Sequence, residues 1–378
     1  MKKIVSIILI LFCNYCLAQS INNKLQISII TCSPGNELYS IFGHTAIRII
    51  DSTNNSDIIY NYGTFDFEDP NFLVKFTRGK LDYFLSTDNP ANFFEAYRSE
   101  NRTITEQILA VSPTQKNDIQ QALIKNLSGN NKFYKYDFLF DNCTTRIRDL
   151  LKNSTAFTCN KQLIASGITF RNMLYIYLDS GSMCWSKLGI DLLLGSKIDK
   201  AVTIEQSSFL PDYLMFAIDS FNVKQQIVAD KKIYTAPIIT ESQNKYVPVI
   251  FFSFIFLVML FIGMSKNKTL KKIYKYASLF FIFITGIVGC LLLFMWLGTD
   301  HKSCANNYNL LWALPTNIIA VFVAHKKSNY VQLYFKFSCL ITVLLLAFWF
   351  ILPQQFNIAF LPLSLTMLLC YKKFAFNK

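Results

Sequence analysis

Histidine is scarce in this chain: there are three in 378 residues, and only His44 precedes the apolar C-terminal part. Apart from Cys13 and Cys16 in the N-terminal apolar run, the ten cysteines form no Cys-x-x-Cys pair, and those beyond it show no metal-type spacing. With one histidine in the N-terminal part, a zinc site is excluded there, and no metal or cofactor is expected. Internal repeats and low-complexity tracts are also missing, which excludes a solenoid or a fibrous array. Acidic residues are few, 24 against 37 basic ones, for a net charge of +13. Such a balance would suit a nucleic-acid partner, but its distribution argues otherwise. Residues 19–245 hold 23 basic and 23 acidic side chains, so the surplus lies in the two flanking apolar regions. Nucleic acid is therefore excluded as a partner.

Apolar residues are abundant, at 52% of the chain with 15% aromatic. Met1-Lys2-Lys3, the run from Ile4 to Phe12, and Cys16-Leu17-Ala18 have the charged, apolar and small-residue regions of a secretory signal over residues 1–18. Phe12 and Tyr15 are too bulky for the lipidation motif that Cys13 or Cys16 would need. From Tyr246 onward about five apolar runs are each near bilayer length: 246–264, 276–298, 308–324, 331–352 and 355–371. The third is short and interrupted by Pro315 and Asn317. Lys266, Lys268, Lys271, Lys272 and Lys275 follow the first run, Lys326 and Lys327 the third, and Lys372, Lys373 and Lys378 the fifth. The opposite loops carry only Lys302. Alternate loops are thus basic, which puts the large N-terminal part outside and the C-terminus in the cytoplasm. A bacterial inner-membrane protein with a periplasmic domain is the expectation.

The periplasmic part reads as mixed α+β. Leu25–Ile30 and Thr45–Ile50 alternate as strands, and Ile58–Gly63 returns as a hairpin partner after the turn Ser52–Ser56. Helices are expected over 90–100, 113–127 (opened by Ser112-Pro113) and Thr145–Lys152, then over 170–177, 189–194 and 210–221. Spacing permits a Cys159–Cys184 disulfide in an oxidising compartment.

Two segments carry chemistry. In Phe140-Asp141-Asn142-Cys143-Thr144-Thr145-Arg146, Cys143 enters the first turn of a helix behind good N-cap residues, where unsatisfied amides favour a thiolate. Arg146 and Arg148 add to that field. In Ile41-Phe42-Gly43-His44-Thr45, His44 is the one imidazole able to serve such a thiol as general base. The competing reading is a buried structural cysteine and a hydrogen-bonded strand histidine. The hairpin places His44 opposite Asn61–Thr64, which makes Asn61 the first choice to orient the ring, ahead of Tyr60 or Asp66. Tyr39, Ser40, Thr144, Thr145 and helix amides are the candidates to stabilise an oxyanion. Lys75, Arg78 and Lys80, interleaved with Phe72, Phe76, Tyr83 and Phe84, read as a solvated amphipathic segment, with a lipid-headgroup patch as the second reading. The polar loop from Thr299 to Trp312, containing His301, Asn306 and Asn309, is either a headgroup site or a connector.

With Ser33-Pro34-Gly35, Glu37 to Arg48, Asn61-Tyr62-Gly63-Thr64-Phe65-Asp66-Phe67, Asp141 to Arg146, Trp185 through Gly195, Phe209-Leu210-Pro211 and the His301–Trp312 loop, the chain resembles the Lnb-type lipoprotein N-acyltransferases. The order of His before Cys also resembles permuted papain-like folds of the NlpC/P60 kind. The resemblance implies a permuted papain-like periplasmic domain followed by a bundle of about five transmembrane helices. It divides the mature chain into a thiol domain over 19–155, a helical extension over 156–245 and a membrane domain over 246–378. It also implies acyl transfer from a membrane phospholipid to the N-terminal amine of a diacylated lipoprotein, with Cys143 as nucleophile and His44 as base. Tyr39, Ser40, Arg146, His301, Asn306 and Asn309 are candidate substrate contacts. A thiol hydrolase and a non-enzymatic envelope assembly module are the alternatives.

Overall fold

A computed structural model describes residues 25–221, 227–236, 246–326 and 328–376. The expected signal, residues 1–18, lies outside them. The N-terminal half is built on one antiparallel sheet whose strands are β1 (Leu25–Cys32), β2 (His44–Asp51), β3 (Ser56–Phe65), β4 (Asp82–Asp88), β5 (Ile104–Leu109), β6 (Phe133–Lys135) and β7 (Val228–Tyr234). Their spatial order is β6-β4-β3-β2-β1-β5-β7. The central strands are buried on both faces: Ile27, Ile29 and Ile47 pack into one core layer, and Ile30, Ala46 and Ile59 into the other. That explains their near-continuous apolar character.

Thirteen helices follow the chain among the described residues: α1 (Phe72–Thr77), α2 (Pro90–Ser99), α3 (Pro113–Leu127), α4 (Cys143–Ser154), α5 (Phe170–Ser180), α6 (Cys184–Leu193), α7 (Ile204–Ser207), α8 (Pro211–Ser220), α9 (Val247–Met264), α10 (Lys268–Leu297), α11 (Asn317–Val323), α12 (Asn329–Ala347) and α13 (Phe360–Ala375). Helix α4 lays Ile147, Leu150 and Leu151 onto the sheet layer that also takes Ile119 and Leu123 of α3 and Leu214 of α8. Residues beyond 156 therefore complete the same core, and β7 extends the same sheet.

In the C-terminal half, α9, α10 and α12 are long and apolar enough to cross a membrane. The run expected at 308–324 is not one long helix. It breaks into a 3-10 turn at Tyr308–Leu311 and the seven-residue α11, with Pro315 and the buried Asn317 at the break. The last run forms the 16-residue α13. A second correction concerns the cysteines: Cys159 and Cys184 are both free, and the Cys159 thiol reaches the Ser208 hydroxyl at 3.4 Å.

The two halves meet at a buried polar junction. Arg171 on α5, with no exposed side-chain surface, pairs with Asp191 (2.7 Å) and Asp199 (2.8 Å). Asp191 also accepts from Tyr175 (2.7 Å) and from Asn357 of the membrane part (2.8 Å). Gly195 presses against the next polar loop so closely that a Cβ there would lie 2.1 Å from the Ala305 carbonyl.

Candidate active site

The site begins with the cap of α4. Asn142 accepts from the Thr145 amide while the Thr145 hydroxyl accepts from the Asn142 amide, both at 2.8 Å, a reciprocal capping box. The Asn142 side-chain NH2 is also committed, donating to the carbonyls of Phe138 (2.7 Å) and Phe209 (3.0 Å). The cap thus fixes where the helix starts, and its first residue is Cys143. The amides of Cys143 and Thr144 stand in the first turn, where no intrahelical carbonyl can reach them. The Thr144 hydroxyl meets that of Thr45 at 3.0 Å and ties this turn to β2.

Glycine makes room on the sheet side. Gly43 (φ +78°) precedes His44, and a Cβ there would come 2.8 Å from the Cys32 carbonyl. Gly63 (φ +96°) sits at a bulge in β3, where a Cβ would stand 3.8 Å from that of Cys143. Both conformations favour glycine.

His44 Nε2 meets Asn61 Oδ1 at 2.5 Å, and Asn61 Nδ2 donates to Asp88 at 3.2 Å. The Asp88 carboxylate can only accept, which turns the Asn61 amide so that its oxygen faces the imidazole. Nε2 is then the protonated nitrogen of neutral His44, and Nδ1 is left for the thiol. Tyr97 lies parallel to the imidazole with ring centres 6.2 Å apart, and the Arg102 guanidinium caps Tyr97 at 4.5 Å.

Burial pushes the Cys143 thiol up, but opposing effects prevail. The His44 charge and hydrogen bond, the Thr45 amide and the Thr144 hydroxyl bring it from 9.0 down to about 7. Burial alone would lower His44, yet the charge and hydrogen bond of Cys143, with Asn61, raise it above its usual 6.5. The two shifts have one origin, the attraction between the Cys143 and His44 side chains. Cys32, cross-strand from His44, shows the opposite case: burial holds its thiol far above the ordinary range.

The other sequence candidates fall elsewhere. Arg146 forms a bidentate pair with Asp141 (2.6 and 2.8 Å) and stacks on Tyr134, while Arg148 pairs with Asp149. Both positive fields are offset locally. The Ser40 hydroxyl donates to the Glu37 carbonyl at 3.1 Å, Tyr39 is largely exposed, and Thr145 is consumed by the cap. Backbone amides at the α4 start remain as the candidate oxyanion donors. Tyr60 is a buried core side chain, and Asp66 accepts from the Glu68 amide. Asn309 donates to the Asp191 and Leu192 carbonyls, His301 Nε2 donates to the Phe76 carbonyl at 3.1 Å, and the Asn306 carbonyl accepts from Ser196. These three hold the halves together.

Asp88 was not evident from the sequence, because nothing in its segment marks a partner for Asn61. A cavity of about 720 Å³ lies beside α5 and α8, lined by Ile41, Tyr177, Trp185 and Asp212 among others, but neither Cys143 nor His44 forms its wall. Among the described residues no group of three His, Cys, Asp or Glu could hold a metal ion.

Residues 11–174 match the family model of the Lnb N-terminal periplasmic domain, and residues 240–376 that of the Lnb transmembrane domain. The chain is an Lnb-type protein. No curated protein and no solved structure matches it. Lnb membership makes it a membrane protein with a periplasmic N-terminal domain and points to lipoprotein maturation.

Proposed function

We propose that this Lnb-type protein is a lipoprotein N-acyltransferase working through a Cys143 thioester. The observation that carries the reading is Cys143 at the capped start of α4 beside His44, whose ring is held by Asn61 and Asp88, within a chain that is also a membrane protein. The thiolate attacks an ester carbonyl of a membrane phospholipid, forming a C–S bond. Amides at the start of α4 stabilise the oxyanion. The C–O bond breaks, and the departing lysophospholipid alkoxide takes the proton from the His44 imidazolium. The N-terminal amine of a diacylglyceryl-cysteine lipoprotein then attacks the thioester carbonyl, forming the amide C–N bond and giving its proton to neutral His44, while the C–S bond breaks and Cys143 departs as the thiolate. An α-amine has a pKa of about 8, so a weak base suffices. Asn61, positioned by Asp88, holds the ring through both steps.

In this reading the phospholipid is the acyl donor and the thiol domain is a permuted papain-like unit over 19–155. The reading is supported by a helix-borne cysteine packed against sheet-borne histidine. Residues 156–245 extend that domain, and residues 246–378 form the membrane domain. We further propose five crossings, with the segment around α11 as the third and α13 as the fifth, and a cytoplasmic C-terminus. The basic loops carrying Lys266–Lys275, Lys326 and Lys372–Lys373 support that orientation. Tyr39, Arg146 and the His301 loop have no assigned substrate contact in this mechanism.

Incubating the full chain in phospholipid with a diacylated lipopeptide, followed by mass spectrometry, tests the proposal. Amide-linked acyl on the lipopeptide is expected from wild type and not from Cys143→Ser. Free fatty acid as the sole product would instead identify a thiol hydrolase.

A further inference from the structure

A line of aromatic side chains runs from the thiol to the membrane part. Tyr136 belongs to the same core cluster as Cys143, and its ring stacks on Tyr83 at 4.5 Å. Tyr83 meets Phe65 at 5.0 Å, Phe65 meets Phe72 at 5.7 Å, and Phe72 meets Phe76 at 5.9 Å. At the far end, the His301 ring donates to the Phe76 carbonyl and the Asp300 amide donates to the Arg78 carbonyl (2.9 Å). Gly79 (φ +66°) packs on the same loop, a Cβ there standing 3.3 Å from Asp300 and His301. That loop directly follows α10, a candidate span ending at Leu297. Helix α1 is therefore held at the level where the span leaves the bilayer.

The outer side of this segment is apolar and uncovered. Phe67 is 73% exposed, Leu73 74%, Val74 59% and Phe76 48%. A contiguous apolar patch of this kind is costly in water, and one anchored beside the end of a span fits a bilayer interface. Exposed Arg78 and Lys80 flank it, as cationic side chains do at phosphate level.

We propose that this face contacts the bilayer and that the aromatic line is the path along which a phospholipid acyl chain reaches Cys143. Contact with lipid follows from the placement of α1; the destination at Cys143 rests on the acyl-transfer reading. The segment that reads as solvated in the sequence is thereby assigned to the donor lipid.

Two measurements on the full chain in phospholipid nanodiscs test this. First, the photo-cross-linker p-benzoylphenylalanine replaces Leu73 or, as a control, Ile124 on α3, which is 44% exposed. A phospholipid adduct several-fold more abundant at position 73 is expected, and equal yields at the two positions would overturn the contact. Second, the double variant Leu73→Asp/Val74→Asp is offered nanodisc phospholipid or a water-soluble short-chain ester. The ratio of Cys143 acylation from phospholipid to that from the soluble ester should fall at least about tenfold. An unchanged ratio would overturn the path. Strong cross-linking at 73 in a protein whose Cys143 is never acylated would support the lipid contact and reject the transfer reading alone.

Discussion

The thiol site and the junction between the two halves are both dense in polar side chains, yet they use them differently. At the junction the buried polar side chains are matched by other parts of the chain. Arg171 is shared by Asp191 and Asp199, Asp191 by Tyr175 and Asn357, and Asn309 is taken up by carbonyls and the Trp312 indole. At the thiol site the chain of partners runs one way, from Asp88 through Asn61 to His44, and ends on the thiol of Cys143. A closed network rigidifies, whereas one that ends on a titratable nucleophile is available for chemistry. Polar density alone, which singled out the His301 loop, does not separate the two.

Substitutions should split the regions cleanly. Cys143→Ser should lower lipopeptide acylation by at least about a thousandfold with folding intact, as read by mass spectrometry and thermal unfolding. His44→Ala should lower it by about 100-fold or more. That variant should also move the pH dependence of Cys143 alkylation. In wild type the thiolate fraction rises with pH through a midpoint of about 7; without the imidazole, burial still disfavours the anion, so the midpoint should climb to 9.0 or beyond. Peptide-resolved iodoacetamide labelling would follow Cys143 apart from the other thiols. Arg171→Met should do the reverse. By stranding two carboxylates at the junction it should cost about 3 kcal/mol or more in stability, seen in thermal unfolding, while the midpoint of alkylation stays in place. Asp88→Ala should reduce turnover by about tenfold, through an Asn61 amide no longer held in one orientation. His301→Ala, which removes one exposed hydrogen bond, should change stability by less than about 1 kcal/mol.

Much of the site was legible because its signals are local. The capping residues Asp141-Asn142 announce the helix start that displays Cys143, and the hairpin arithmetic from Ser52–Ser56 puts His44 near Asn61. Asp88 was not legible, since its role depends on β4 pairing with β3, a long-range choice with no turn signal. Strand β7 was missed for a similar reason: its residues are mostly exposed and Asp230-Lys231-Lys232 break the apolar alternation, so only pairing with β5 makes it a strand. The interruption of the third apolar run was legible in Pro315 and Asn317, but not the form it takes, a 3-10 turn and a seven-residue helix with Asn317 hydrogen-bonded inside the bundle. Arg146 sits where the sequence suggested, but Asp141, five residues earlier, neutralises it, a pairing that only the cap geometry reveals.

The most direct test of the central claim is to isolate the Cys143 peptide after the full chain has been exposed to phospholipid alone, and then again after lipopeptide is added. The account predicts a hydroxylamine-labile acyl group on Cys143 that disappears as the lipopeptide gains an amide-linked acyl chain. Acylated lipopeptide formed while Cys143 stays unmodified, and formed equally by Cys143→Ser, would contradict it.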